Sequence, residues 1–338
     1  MSYHNRIFLY VSLIFSFING AIAHGKKTTI KFAIITPKGS TWSNVLHEFA
    51  KETKKQTNGN VKFKIYAGGI IGDENAVLSK ISRNIVHGGG FSGVGLGTIL
   101  PEIRILESPT LFQNDKEIDE IKNSFYPYFE KKFSEKNFEL LGFAEAGFVY
   151  LFSKQKIATA ASLKKTKMWV WKGDAVAENF LQTFNIPAIP LDVSQVYTGL
   201  ATNMIDSFYA PPLAALAFQW GEKVKYMMKF QFVNSIGALL IHKKAFAKLS
   251  PTDQAIVKKL GTQYCNKIVS LTRSENAAAL QSLKAKFGIN FLDPSPSDIA
   301  QFKKNAIQTN SKNAGKVYPK ELYNKITKNL ALLRSKAK

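Results

Sequence analysis

The sequence predicts an α/β fold, and three features carry that expectation. Between residues 29 and 85 the pattern runs strand, helix, strand, helix, with apolar residues first alternating and then recurring every three or four positions. The 338-residue chain leaves about 315 residues after an N-terminal leader, more naturally two domains than one. A periodic stretch from Pro251 to about Phe287 predicts one helix of roughly 50 Å, long enough to brace two lobes.

Taken in order, residues 1–23 have the layout of a secretory signal peptide: Arg6, an apolar run from Ile7 to Ile18, then Ala21-Ile22-Ala23 as a small-x-small cleavage site. A mature chain beginning near His24 is expected, with no cysteine at the cut for lipid attachment. "TIKFAII" (29–35) reads as a strand, and Pro37 to Ser40 as a turn. Val45, Leu46, Phe49 and Thr53 then mark a helix. "TNGN" stops that helix and "VKFKIYA" alternates as a half-buried strand. Asp73 reads as the cap of a helix carrying Val77, Leu78, Ile81 and Ile85.

"HGGGFSGVGLG" (87–97) lacks the spacing of a nucleotide loop. It reads as backbone that turns tightly or lets something approach closely, either as a ligand-lining loop or as a plain connector. Residues 117–133 read as a helix that Pro127 kinks or ends. Residues 138–153 are apolar strand material interrupted by Glu145 and Gly147, and an acid there needs a partner or water. "KMWVWKGD" (167–174) places Trp169 and Trp171 two apart on a strand. A helix through Phe184, a short strand, a turn at Pro190 and Asp192 and a further helix follow. Phe208 and Tyr209 lie on a strand end before Pro211 and Pro212, and strands are expected near "VKYMMKF" and "GALLIH". Ser250, Pro251 and Asp253 open the long helix as cap, first-turn proline and first-turn acid.

Lys plus Arg number 46 against 24 Asp plus Glu, a formal charge of +22. The excess is mostly lysine scattered at helix-surface spacing, without the arginine-rich or aromatic-and-basic runs that follow a nucleic acid, so nucleic acid is excluded as a partner. Cys265 is the only cysteine, so no intrachain disulfide forms and a buried thiol is expected. The five histidines lie apart without ligand spacing, and no nucleophile, zinc or phosphate motif is present. The chain is therefore read as a non-enzyme without metal or cofactor.

"TPKGSTW", "TNGNVKFKIYAGGIIGDE", "ESPTLFQN" and the run from "LKKTKMWVWKGD" to "MIDSFYAPP" together resemble the extracytoplasmic solute receptors of tripartite ATP-independent periplasmic (TRAP) transporters, over about Lys31 to Phe291. That resemblance implies a two-lobed periplasmic binding fold closing on a small solute, and docking of a monomer on the subunits of a membrane permease. It divides the chain into lobe 1 (27–150, with 232–260 returning to it), lobe 2 (151–231), the connecting helix (251–287) and a C-terminal region (288–338).

The family's usual ligand is an organic carboxylate held by an arginine on the strand "KMWVW", opening an Arg-x-Pro. Here Trp169 and Trp171 occupy those two positions. An indole has one donor and no charge, and a lost charged hydrogen bond removes about 1.5–3 kcal/mol. The departure predicts an uncharged or largely apolar ligand, stacked on Trp169. Phe148, Tyr150, Phe208, Tyr209, Trp42 and Phe91 would shape the pocket, with Glu145, Asp206 or Gln195 as orienting polar groups and Trp171 in the wall or behind it. Two alternatives stand beside that reading: an organic acid held by a cation the family does not use, and a periplasmic lipid- or protein-interaction module.

Overall fold

The computed structural model describes residues 27–336; the leader at 1–23 and its cleavage site lie outside the described residues. Among the described residues, eleven strands form two sheets. They are β1 (Thr28–Ala33), β2 (Val61–Tyr66), β3 (Gly88–Ser92), β4 (Phe138–Phe148), β5 (Tyr150–Ser153), β6 (Met168–Trp171), β7 (Ala188–Leu191), β8 (Ser207–Ala210), β9 (Tyr226–Met228), β10 (Asn234–His242) and β11 (Asn290–Leu292). The first sheet has the order β2-β1-β3-β10-β4 and the second β11-β9-β5-β8-β6-β7.

Each sheet is buried on both faces, as in a lobe covered by helices. Along β10, Ile236, Ala238 and Leu240 enter one apolar cluster while Leu239 and Ile241 enter another, the two-residue period of a strand sorted onto two faces. In the second sheet Met168 and Val170 pack on one side and Trp169 on the other.

The apolar run 138–153 is two strands in two different sheets, separated only by Val149. Val149 also holds the returning chain: its N–H donates to Val233 O (2.9 Å) and its carbonyl accepts from Phe232 N (3.1 Å). This two-strand crossing is backed by the long helix Pro251–Phe287, capped by Ser250 and ended at Gly288, whose φ is 64°. Asn276 on that helix donates to Ala146 O in lobe 1 and accepts from Leu213 N in lobe 2, both at 2.9 Å. Pro127 does not end its helix, which runs unbroken over Asp115–Glu135.

Two C-terminal helices cross the lobes again. In Pro296–Asn313, Phe302 and Ala306 join the second lobe's core. In Lys320–Lys336, Leu322, Ile326 and Leu330 join the first lobe's core. Among the described residues no helix is long and apolar enough to cross a membrane, and no group of His, Cys, Asp and Glu is arranged to hold a metal. Cys265 is a buried free thiol.

Candidate functional site

Between the sheets lie two adjoining cavities, of about 140 and 90 Å³, that share Ser92, Val149, Trp171, Tyr209 and Ser235 in their walls. The larger is lined by Trp42, Phe91, Trp169, Trp220 and Glu74 among others. It opens past Thr36 and Trp42 to a mouth carrying Lys38 and Lys267. The smaller is mostly aliphatic and phenylalanine-lined, with Arg104, Glu107 and Asp174 in its wall.

Trp169 is at once core and wall. Its ring stacks on Tyr209 (5.1 Å between centroids, 23° between planes) and meets Trp220 edge-on. Its indole N–H is spent on Leu191 O at 3.0 Å, so toward the cavity it offers ring carbons and no donor. Trp171 differs: its Nε1 is buried and meets no acceptor at hydrogen-bond geometry. The carboxyl of Asp73, raised first by burial and then by the facing Asp192, is close enough to feel that N–H.

Of the other expected site residues, Trp42, Phe91 and Tyr209 also line the larger cavity. The structure does not bring the remaining six to it. Phe148, Tyr150 and Glu145 line a separate hollow behind the strand crossing, because the break at Val149 turns β4 and β5 into different sheets. There Glu145 is fully buried and paired with Arg273 and Lys122. Phe208 is sealed and stacked on Phe152 at 4.9 Å. Asp206 accepts from Lys167 N (2.8 Å) and Gln155 Nε2 (2.9 Å) and holds a strand start. Gln195 caps its own helix by accepting from Asp192 N at 3.0 Å.

The charged heart of the site was not foreseen from the sequence. Arg104, in the turn of helix Pro101–Glu107, is buried; its Nη2 reaches Asp174 Oδ1 at 2.6 Å and Glu107 Oε2 at 3.0 Å. Burial alone would pull the guanidinium's pKa down, but Asp174 and Glu107 outweigh it and raise the value. Arg104 Nε is buried with no hydrogen-bond partner. Glu74 accepts from Ser92 N, Ser92 Oγ and Gly95 N at 2.7–2.8 Å, yet burial still pushes its carboxyl up to about 7. Glu107 is likewise pushed up to about 7 by burial, against the pull of Arg104.

The glycine-rich segment is what lets these groups in. A Cβ on Gly93 would stand 2.0 Å from Glu107 Oε2, and one on Gly95 would stand 2.4 Å from Glu74 Oε2. What approaches the backbone closely there is the protein's own pair of acids.

Residues 32–315 match the family described as bacterial extracellular solute-binding protein, family 7. The ectoine/5-hydroxyectoine-binding periplasmic protein of Ruegeria pomeroyi is 22% identical over 249 residues, covering 70% of this chain and 72% of that protein. A sugar acid binding protein of Advenella mimigardefordensis, solved with galactonate, superposes with a TM-score of 0.84 at 19% identity, covering 90% of this chain and 98% of that one. A TRAP periplasmic solute binding protein of Desulfovibrio salexigens, solved with orotic acid, gives 0.81 at 18% identity over 90% and 99%. Ectoine, galactonate and orotate are all carboxylates. That finding overturns the expectation of an uncharged or apolar ligand, which rested on tryptophans in place of the arginine and on the other aromatics expected in the pocket.

Proposed function

The chain belongs to the bacterial extracellular solute-binding proteins of family 7, and from that premise we propose that it captures a small organic carboxylate in the cleft and delivers it to a TRAP-type permease. The supporting observation is Arg104. Among the described residues lining the two cavities it is the only cation, and its Nε has no partner. A ligand carboxylate would supply the acceptor that Arg104 Nε lacks, and a charged hydrogen bond of this kind is worth about 1.5–3 kcal/mol. Trp169 and Tyr209 would pack against the body of the ligand rather than its charge.

Receptors of this family act outside the cytoplasm and catalyse no reaction. For this chain, export with cleavage after Ala23 is part of the proposal; an intact mass of the exported protein that still includes residues 1–23 would contradict it.

The test of the ligand class is calorimetric titration with acid and neutral partners of one shape: orotate against uracil, galactonate against galactitol. At least one acid should bind while its neutral partner binds ten-fold or more weakly. Equal binding of the pair, or no acid binding, would overturn the reading.

A further inference from the structure

Arg104 and Asp174 stand on opposite lobes. Arg104 belongs to the helix Pro101–Glu107, which packs into the first lobe's core through Ile103, Ile105 and Leu106. Asp174 is the N-cap of helix Ala175–Gln182, directly after β6 of the second sheet. Their 2.6 Å contact is a buried ion pair between the lobes. Lobe 2 holds its member firmly: Asp174 Oδ1 accepts from Ala177 N (3.0 Å), Oδ2 accepts from Tyr209 Oη (2.7 Å), and Tyr209 Oη accepts from Trp171 N (3.1 Å). Lobe 1 holds Glu107 through Ile236 N at 3.0 Å.

We propose that this pair is a latch: Arg104 and Asp174 hold the lobes together across the cleft, and Asp174 with Tyr209, as positioning residues, fix the angle at which Arg104 faces the ligand. When the lobes part, Asp174 and Tyr209 leave with lobe 2, and Arg104 keeps only Glu107, three residues away on its own turn. The seat for a carboxylate is therefore complete only in the closed form. A buried pair gains little net energy over two hydrated charges, so the latch biases closure without locking the cleft. The positioning half rests on the carboxylate reading, whereas the latch half stands without any ligand.

The test places spin labels on Lys55→Cys in lobe 1 and Gln182→Cys in lobe 2, both exposed, in the full mature chain. Cys265, fully buried, does not take up label. Ligand-free protein should be dominated by a short interlobe distance. Asp174→Asn keeps an N-cap oxygen for Ala177 N while removing the charge, and Tyr209→Phe removes one hydroxyl; each should add a longer-distance population. A ligand-free parent already dominated by the long distance, or either folded variant indistinguishable from the parent, overturns the latch. For positioning, Asp174→Asn should lose ten-fold or more in affinity for the acid that binds, with its neutral analogue unmoved; an equal loss for both overturns it. If no acid binds the parent, the carboxylate reading fails while the distance result is unaffected.

Discussion

Of the acids buried against the ligand seat, Glu74 and Glu107 have carboxyls that burial pushes up to about 7 in the folded protein against about 4.3 in an unfolded chain. A carboxyl raised on folding binds its proton more tightly in the native state. Its contribution to stability is present in full below the unfolded value and drains away as pH climbs toward 7. The thermal midpoint should accordingly fall between pH 4.5 and 7, and Glu107→Gln should flatten that slope; identical slopes for the two proteins would contradict the assignment. The sequence did show several of the aromatics that meet here, since Trp42, Phe91, Trp169, Trp171 and Tyr209 were singled out and line the cleft. It did not show Arg104. The signal was present, an arginine between the isoleucines of "EIRILES" in a chain with only five arginines, and a buried guanidinium needs a carboxylate. Its partner Asp174 is 70 positions away, however, and only the approach of the lobes joins them.

At the scale of elements, regular patterns were readable and breaks were not. The long helix was legible from its cap, first-turn proline and first-turn acid, and it spans Pro251–Phe287. The split at Val149 was not, because a strand that changes sheets keeps the same apolar composition on both sides. That one residue sends Phe148, Tyr150 and Glu145 behind the crossing and away from the cleft. Helix Pro296–Asn313 had a readable start in Ser295, Pro296 and Asp298, the same cap, proline and first-turn acid that open the long helix. The glycine-rich segment carries a direct test. Gly95→Ala sets a Cβ against the Glu74 carboxylate and the Phe91 ring, and overpacking of this kind costs about 1–3 kcal/mol. Urea unfolding should show that loss; a change below about 0.5 kcal/mol would mean that the carboxylate moves aside freely.

For the whole molecule, two sheets are tied by the hydrogen-bonded connecting segments at Val149 and Val233, by the long helix and by the C-terminal pair of helices. Between them the cleft combines stacked aromatic walls with one arginine whose position depends on both lobes. The +22 charge and the lysines at the mouth favour the approach of an anion, but such a field is screened beyond about 8 Å at physiological salt and does not select the ligand. Selection is assigned to Arg104, and the most direct measurement is its replacement by lysine. Arg104→Lys keeps a cation for Asp174 and Glu107, so the fold is retained, while it gives up the planar fork that addresses two acceptors at once. Titrated in 0.15 M salt with orotate and uracil, and with galactonate and galactitol, the folded variant should lose ten-fold or more in affinity for the acid, about 1.4 kcal/mol, with the neutral partner unchanged. A folded Arg104→Lys protein that binds the acid as tightly as the parent would contradict the account.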